Sequence, residues 1–187
     1  MQLKSGPLTW LIWLMWACLP LAASAAAPTQ TPDLQARVAL AILEDPTGAL
    51  GADQVRSPSL QSSFKPWPAE RGPINLGLSD SAFWIRVDLQ IPAAAASEWV
   101  LELPYFQLRT VDFYAPGASA VRTGAALPLS SRPYLHRFFA FPLPHEAGKA
   151  TYFLRVTSAQ SLTVPVVLWR EQEFLRHVQS TLVTRRK

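Results

Sequence analysis

The chain has 187 residues, with 17 Lys and Arg against 13 Asp and Glu and a formal net charge of +4. Its basic residues are scattered singly apart from Arg185-Arg186-Lys187, which argues against a nucleic-acid-binding stripe. A single cysteine, Cys18, excludes an internal disulfide, and His136, His145 and His177 share no metal-ligand spacing; with no glycine-rich phosphate loop and no G-x-S-x-G elbow, neither a metal nor a cofactor is expected.

The first element in chain order is an export signal over residues 1–25. Lys4 supplies the positive region, Leu8 to Leu21 the apolar core, and Ala23-Ser24-Ala25 the small-residue cleavage site. The apolar core is shorter than the roughly 20 residues of a spanning helix, and Pro20 interrupts it, so cleavage is favoured over an uncleaved anchor. Lipidation at Cys18 is disfavoured by the bulky Trp16 two residues before it. The mature protein is therefore expected in the periplasm or cell envelope, opening with a flexible leader over residues 26–36.

From residue 37 the pattern is that of strands. Arg37 to Glu44 is the first candidate, closed by the turn Asp45-Pro46-Thr47-Gly48. Leu50 to Val55 suits one helical turn, Ser59 to Phe64 a short edge strand, and Lys65 to Gly77 a loop. Phe83 to Ile91 alternates cleanly: Phe83, Ile85, Val87, Leu89 and Ile91 on one face, Trp84, Arg86, Asp88 and Gln90 on the other. Glu98 to Leu103 alternates again, with Glu98 and Glu102 on the side expected to meet solvent. Thr110 to Tyr114, Arg137 to Leu143, Thr151 to Thr157 and Leu162 to Trp169 follow, and prolines stand near the ends of several runs. About eight short strands predict an all-β antiparallel sandwich or jelly roll over residues 37–170. Phe174, Leu175, Val178 and Leu182 then share one helical face, so residues 171–187 read as a short C-terminal helix and basic tail.

The order of several elements resembles a known family. These are Glu44-Asp45-Pro46, Asn75-Leu76-Gly77, Trp84-Ile85-Arg86, Trp99 to Tyr105, Val111 to Tyr114, Arg132-Pro133, His136-Arg137, Tyr152 to Val156 and Leu168-Trp169. Together they resemble the second type of extracellular sensor domain of bacterial seven-transmembrane receptors with diverse intracellular signalling modules. The resemblance implies a jelly roll similar to carbohydrate-binding modules, and a sensor for a small ligand. In such receptors seven helices and an output module follow; this sequence reads as the sensing domain without its transmembrane and output modules, so membrane receptor modules are candidate partners.

Candidate binding residues fall in three places. Trp84, Arg86, Asp88 and Gln90 combine a ring with planar polar groups on one strand face, as sugar recognition requires; the competing reading has Trp84 covering the sheet and Arg86 paired with Asp88 or Glu102. Arg132, Tyr134, His136 and Arg137 lie in a long connection and suit a carboxylate or sugar acid; otherwise they pin the loop. Arg155 contacts ligand or forms a half-buried ion pair. The expected partner is a small molecule or glycan. The alternatives are a protein-docking envelope module and a secreted carbohydrate-active enzyme using two of Asp88, Glu98, Glu102 and Asp112.

Overall fold

A computed structural model describes residues 36–93, 98–144 and 147–184, with side chains through residue 181. The expected export signal, all of the leader but Ala36, and the tail at Arg185-Arg186-Lys187 lie outside the described residues.

Among the described residues, eleven antiparallel strands make two layers. The first is a six-stranded sheet in the order β2-β1-β4-β9-β6-β7, from β1 (Arg37–Asp45), β2 (Lys65–Trp67), β4 (Ala82–Ile91), β6 (Leu108–Tyr114), β7 (Val121–Thr123) and β9 (Gly148–Ser158). The second layer holds β3 (Ile74–Leu78) paired with β10 (Ser161–Val164), and a three-stranded sheet β11-β5-β8 from β5 (Trp99–Leu103), β8 (Phe139–Leu143) and β11 (Val167–Arg170). Inward side chains of both layers meet in one cluster. Ile85, Val87, Leu89, Phe113, Tyr152 and Leu154 come from the first, and Ile74, Leu101, Leu103, Phe139, Phe141 and Leu162 from the second. Strand β4 contributes through its alternation, because period-two placement sends Phe83, Ile85, Val87, Leu89 and Ile91 to one side. The fold is an all-β sandwich, as the pattern predicts.

Three local expectations fail. Ser59 to Phe64 does not form an edge strand: Pro58–Gln61 is a helical turn, α2, directly after α1 (Ala52–Arg56), with Pro58 at a first-turn position where its missing N–H costs nothing. The edge strand is β2, in the stretch read as a loop, where Pro66 is tolerated because β2 pairs on one side only, with β1. Leu162 to Trp169 is not one strand. Pro165 interrupts it, and β10 joins β3 while β11 joins β5. The short β7 was not expected at all. Its exit is fixed by Gly124, with φ at +145°, where an added Cβ would fall 2.2 Å from the Arg109 carbonyl oxygen.

The chain closes with α3 (Glu171–Thr184), which packs over the outer face of the β11-β5-β8 sheet. Phe174 is fully buried there against Val100 and Ala140, with Tyr134, Trp169 and Val178 half-buried around it. Leu175, on the same predicted stripe, is exposed.

Candidate functional site

The outer face of the six-stranded sheet is divided in two. At one end Asp45 fastens the turn after β1: its carboxylate accepts from the backbone N–H of Ala49 at 3.3 Å and Leu50 at 3.0 Å and from Thr47 Oγ1 at 3.1 Å. Gly48, with φ at +64°, completes the reversal. The chain then runs across the sheet through α1 and α2, and Val55 and Phe64 cover Ala41, Trp84 and Phe153. Trp84 is 0% exposed, its ring 5.4 Å from that of Tyr114, so it offers no face to a ligand. Arg155 lies in the same covered zone. Its Nη2 donates to the Gly48 carbonyl at 2.8 Å and its Nη1 is 3.8 Å from Asp112, which Arg122 also binds at 2.8 Å. Arg155 thus ties the turn after β1 to the sheet.

Arg86 marks the boundary. It donates from Nη1 to Gln61 Oε1 and from Nε to Asp88 Oδ2, both at 3.0 Å, and its guanidinium lies 5.3 Å over the Phe64 ring. Beyond it the face is open. Asp88 Oδ1 accepts from Thr151 Oγ1 at 2.7 Å. Strand register places Arg37, Gln90 and Lys149 in one row and Ala39, Asp88 and Thr151 in the next. These residues line a shallow cavity of about 340 Å³, near the lower end of the range for small-molecule sites. It presents a carboxylate, an amide, a hydroxyl, a guanidinium and an ammonium across three strands, β1, β4 and β9. That array can satisfy several hydroxyls and one acidic group; it contains no aromatic ring.

The other predicted group lies on the opposite side of the sandwich. Arg132, Tyr134, His136 and Arg137 belong to the connection from β7 to β8, which packs beside α3. Arg132 Nη1 donates to the carbonyls of His136 and Arg137, both at 2.6 Å, with its guanidinium 4.6 Å over Phe139. Burial lowers its pKa. The Tyr134 hydroxyl donates to Glu171 Oε1 at 2.7 Å, and burial is the main cause of its raised pKa. Arg137 is exposed beside the rings of Phe106 and Phe138.

Glu102 corrects the sequence reading. Expected to meet solvent, it is 2% exposed, because α3 and the β7–β8 connection cover the outward side of β5. Its Oε2 accepts from Trp169 Nε1 at 2.7 Å and its Oε1 lies 3.0 Å from Nε2 of His136, itself 7% exposed. A buried carboxylate is tolerable only with such partners.

So Asp88 lines the open cavity with Arg86 bound to it at the edge of the cover, Trp84 and Arg155 lie under the cover, and Arg132, Tyr134, His136 and Arg137 form a separate group. Gln90, on the face singled out from the sequence, lines this cavity too, whereas Arg37, Lys149 and Thr151 were not singled out as ligand contacts. The alternation of β9 carried back to Gly148 would have found Lys149 and Thr151, since they share a face with Arg155. A larger groove of about 760 Å³ follows the seam past Trp67, Pro73 and Val164; its walls are mostly apolar and Trp67 Nε1 is already bound to the Gly72 carbonyl at 2.9 Å.

Among the described residues, no group of three or more His, Cys, Asp or Glu side chains is placed to hold a metal. No helix among them is long and apolar enough to cross a membrane. In comparisons with known proteins, the family described as 7TMR-DISM extracellular 2 matches residues 38–170. No curated protein matches the chain.

Proposed function

Because the chain belongs to the 7TMR-DISM extracellular 2 family, the extracellular sensor domains of receptors, we propose that it is a non-enzymatic sensor domain for a small hydroxylated ligand, a sugar or sugar acid, bound on the open half of the six-stranded sheet. The observation that carries this reading is Asp88: a carboxylate oriented by Arg86 and Thr151 at the edge of a cavity that also holds Gln90, Arg37 and Lys149. Oriented carboxylates and amides accept and donate to adjacent hydroxyls, and Lys149 with Arg37 favours an acidic substituent. With Trp84 covered, recognition works through hydrogen bonds and charge rather than ring stacking.

Binding rather than catalysis is supported by where the acids lie. Glu102 and Asp112 are both buried and held by donors, on the outer faces of different layers. A glycosidase needs two carboxylates across one cleft. The export signal over residues 1–25 supports placement in the periplasm, and the family supports coupling to membrane receptor modules.

Calorimetry with neutral sugars, uronic acids and short glycans tests the reading. A ligand should be found whose affinity falls about tenfold or more in Asp88→Ala and in Lys149→Ala, the loss expected for one charge-assisted hydrogen bond. Affinity unchanged in both variants would move the ligand off this face.

A further inference from the structure

Strand β1 has partners of unequal length. On one side β4 pairs with all of it, from Arg37 to Asp45, while on the other β2 pairs only with Leu40, Ala41 and Ile42. The chain leaves the ladder at Pro68, which opens the short 3₁₀ helix Ala69–Arg71. Among the described residues, the first three of β1, residues 37–39, therefore have no strand on that side. Unpaired strand backbone of this kind is a template for another strand.

Pro66 fixes which backbone groups face the vacant side. It stands opposite Ala41 and has no N–H, so the β1–β2 hydrogen bonds fall at Leu40, opposite Trp67, and at Ile42, opposite Lys65. In an antiparallel ladder the same side recurs at every second residue, so the N–H and C=O of Val38 point to the place β2 has left. Among the described residues, no turn or loop backbone group bonds to them. The Val38 side chain, 40% exposed, follows that of Leu40 toward the space between the layers. There it joins the groove of about 760 Å³, whose walls include Trp67, Pro73, Val164, Pro165 and Val166. Of the residues lining it Glu70 alone is charged, and Trp67 Nε1 is taken by the Gly72 carbonyl. A sugar finds few side-chain partners here. A strand finds a backbone donor, a backbone acceptor and apolar walls.

We propose that this edge and groove receive an extended peptide segment of a partner protein, which joins the six-stranded sheet antiparallel to β1 where β2 ends. One residue of the segment exchanges both backbone bonds with Val38, donating its N–H to the Val38 carbonyl and accepting from the Val38 N–H. Its side chain turns with that of Val38 into the groove, so an apolar residue suits that position. The residues on either side of it face outward and are free to be polar. The chain's own residues 26–35 fit poorly, since they carry Pro28 and Pro32 and no apolar alternation. The β1 strand of a second copy fits poorly too, because Trp67 already occupies the place beside Leu40 in each copy. So short an edge makes a weak, reversible contact. The site uses the inward side of β1, not the outer face that carries Asp88, and does not rest on the reading of that face.

Titration of the whole chain with a capped pentapeptide, in which threonine and leucine alternate from an N-terminal threonine, tests the proposal by amide NMR shifts and hydrogen exchange. Shifts should gather at Val38, Ala39 and Val166, and exchange at the Val38 amide, fast in the free chain, should slow. N-methylation of the peptide at its leucines removes the donors aimed at β1 and should weaken binding about tenfold. N-methylation at the central threonine, whose N–H points away from β1, should leave it nearly unchanged. Val38→Pro deletes the donor on the vacant side and spares the β1–β4 bonds, which fall at Arg37, Ala39 and Ala41. That variant should keep the fold and lose about tenfold of the affinity. No binding of the parent peptide, equal loss from methylation at leucine and threonine, or a Val38 amide already protected in the free chain would overturn the proposal.

Discussion

Each layer of the sandwich turns an outer face away from the core, and the fold covers the two differently. On the β11-β5-β8 sheet, α3 and the β7–β8 connection bury Val100, Ala140 and Glu102, and the one carboxylate trapped there is matched by Trp169 and His136. On the six-stranded sheet, α1 and α2 cover only the Trp84 end and leave Asp88, Gln90, Lys149 and Thr151 at an open cavity. The same alternating pattern therefore yields structural polar groups on one face and accessible ones on the other. What decides is the covering segment, not the strand. Arg86 stands at the border, joined to the cover through Gln61 and to the open half through Asp88.

Substitutions on the two faces should separate these roles. Trp84→Ala removes a fully buried indole from beneath the cover, and urea unfolding should show a loss of about 3–5 kcal/mol, as for large core truncations. A loss near zero would mean the cover does not pack on the sheet. Trp169→Phe keeps the ring but leaves Glu102 Oε2 without its donor; the expected cost is about 1–3 kcal/mol, read by the same measurement. Asp88→Asn, on the open half, should change stability by less than about 1 kcal/mol, because the Arg86–Asp88 pair is partly exposed, with 24% and 39% of the two side chains accessible. The order Trp84, Trp169, Asp88 is the comparison in energetic form, and Asp88→Asn as the most damaging of the three would reverse it.

Much of this fold is readable from residue pattern. Phe83 to Ile91 gives its strand and its buried face, and period-two placement predicts that Trp84, Arg86, Asp88 and Gln90 share the other face, as they do. The short strands β2 and β7 are hidden because three residues carry too little alternation, and β2 contains a proline that only an edge position permits. Coverage is where strand pattern stops. Whether an outward residue meets water depends on segments distant in sequence: Phe64 on Trp84, Phe174 above Val100, Trp169 on Glu102. Thus Glu102 and Asp88, both outward on alternating strands, have opposite fates that local sequence does not separate. The ring-plus-arginine motif fails as a unit for the same reason, since Trp84 is fully covered and Arg86 is tied to the edge of the cover through Gln61 and Phe64.

The central claim is that ligand is recognised on the open half of the six-stranded sheet. Amide NMR shift mapping with the sugar or sugar acid that binds best in calorimetry tests it most directly. The account predicts the largest shifts at Asp88, Leu89 and Gln90 on β4 and at Lys149, Ala150 and Thr151 on β9, with the amides of residues 132–137 unmoved. Shifts gathered at Arg132 to Arg137 and along α3, with β4 and β9 silent, would contradict it.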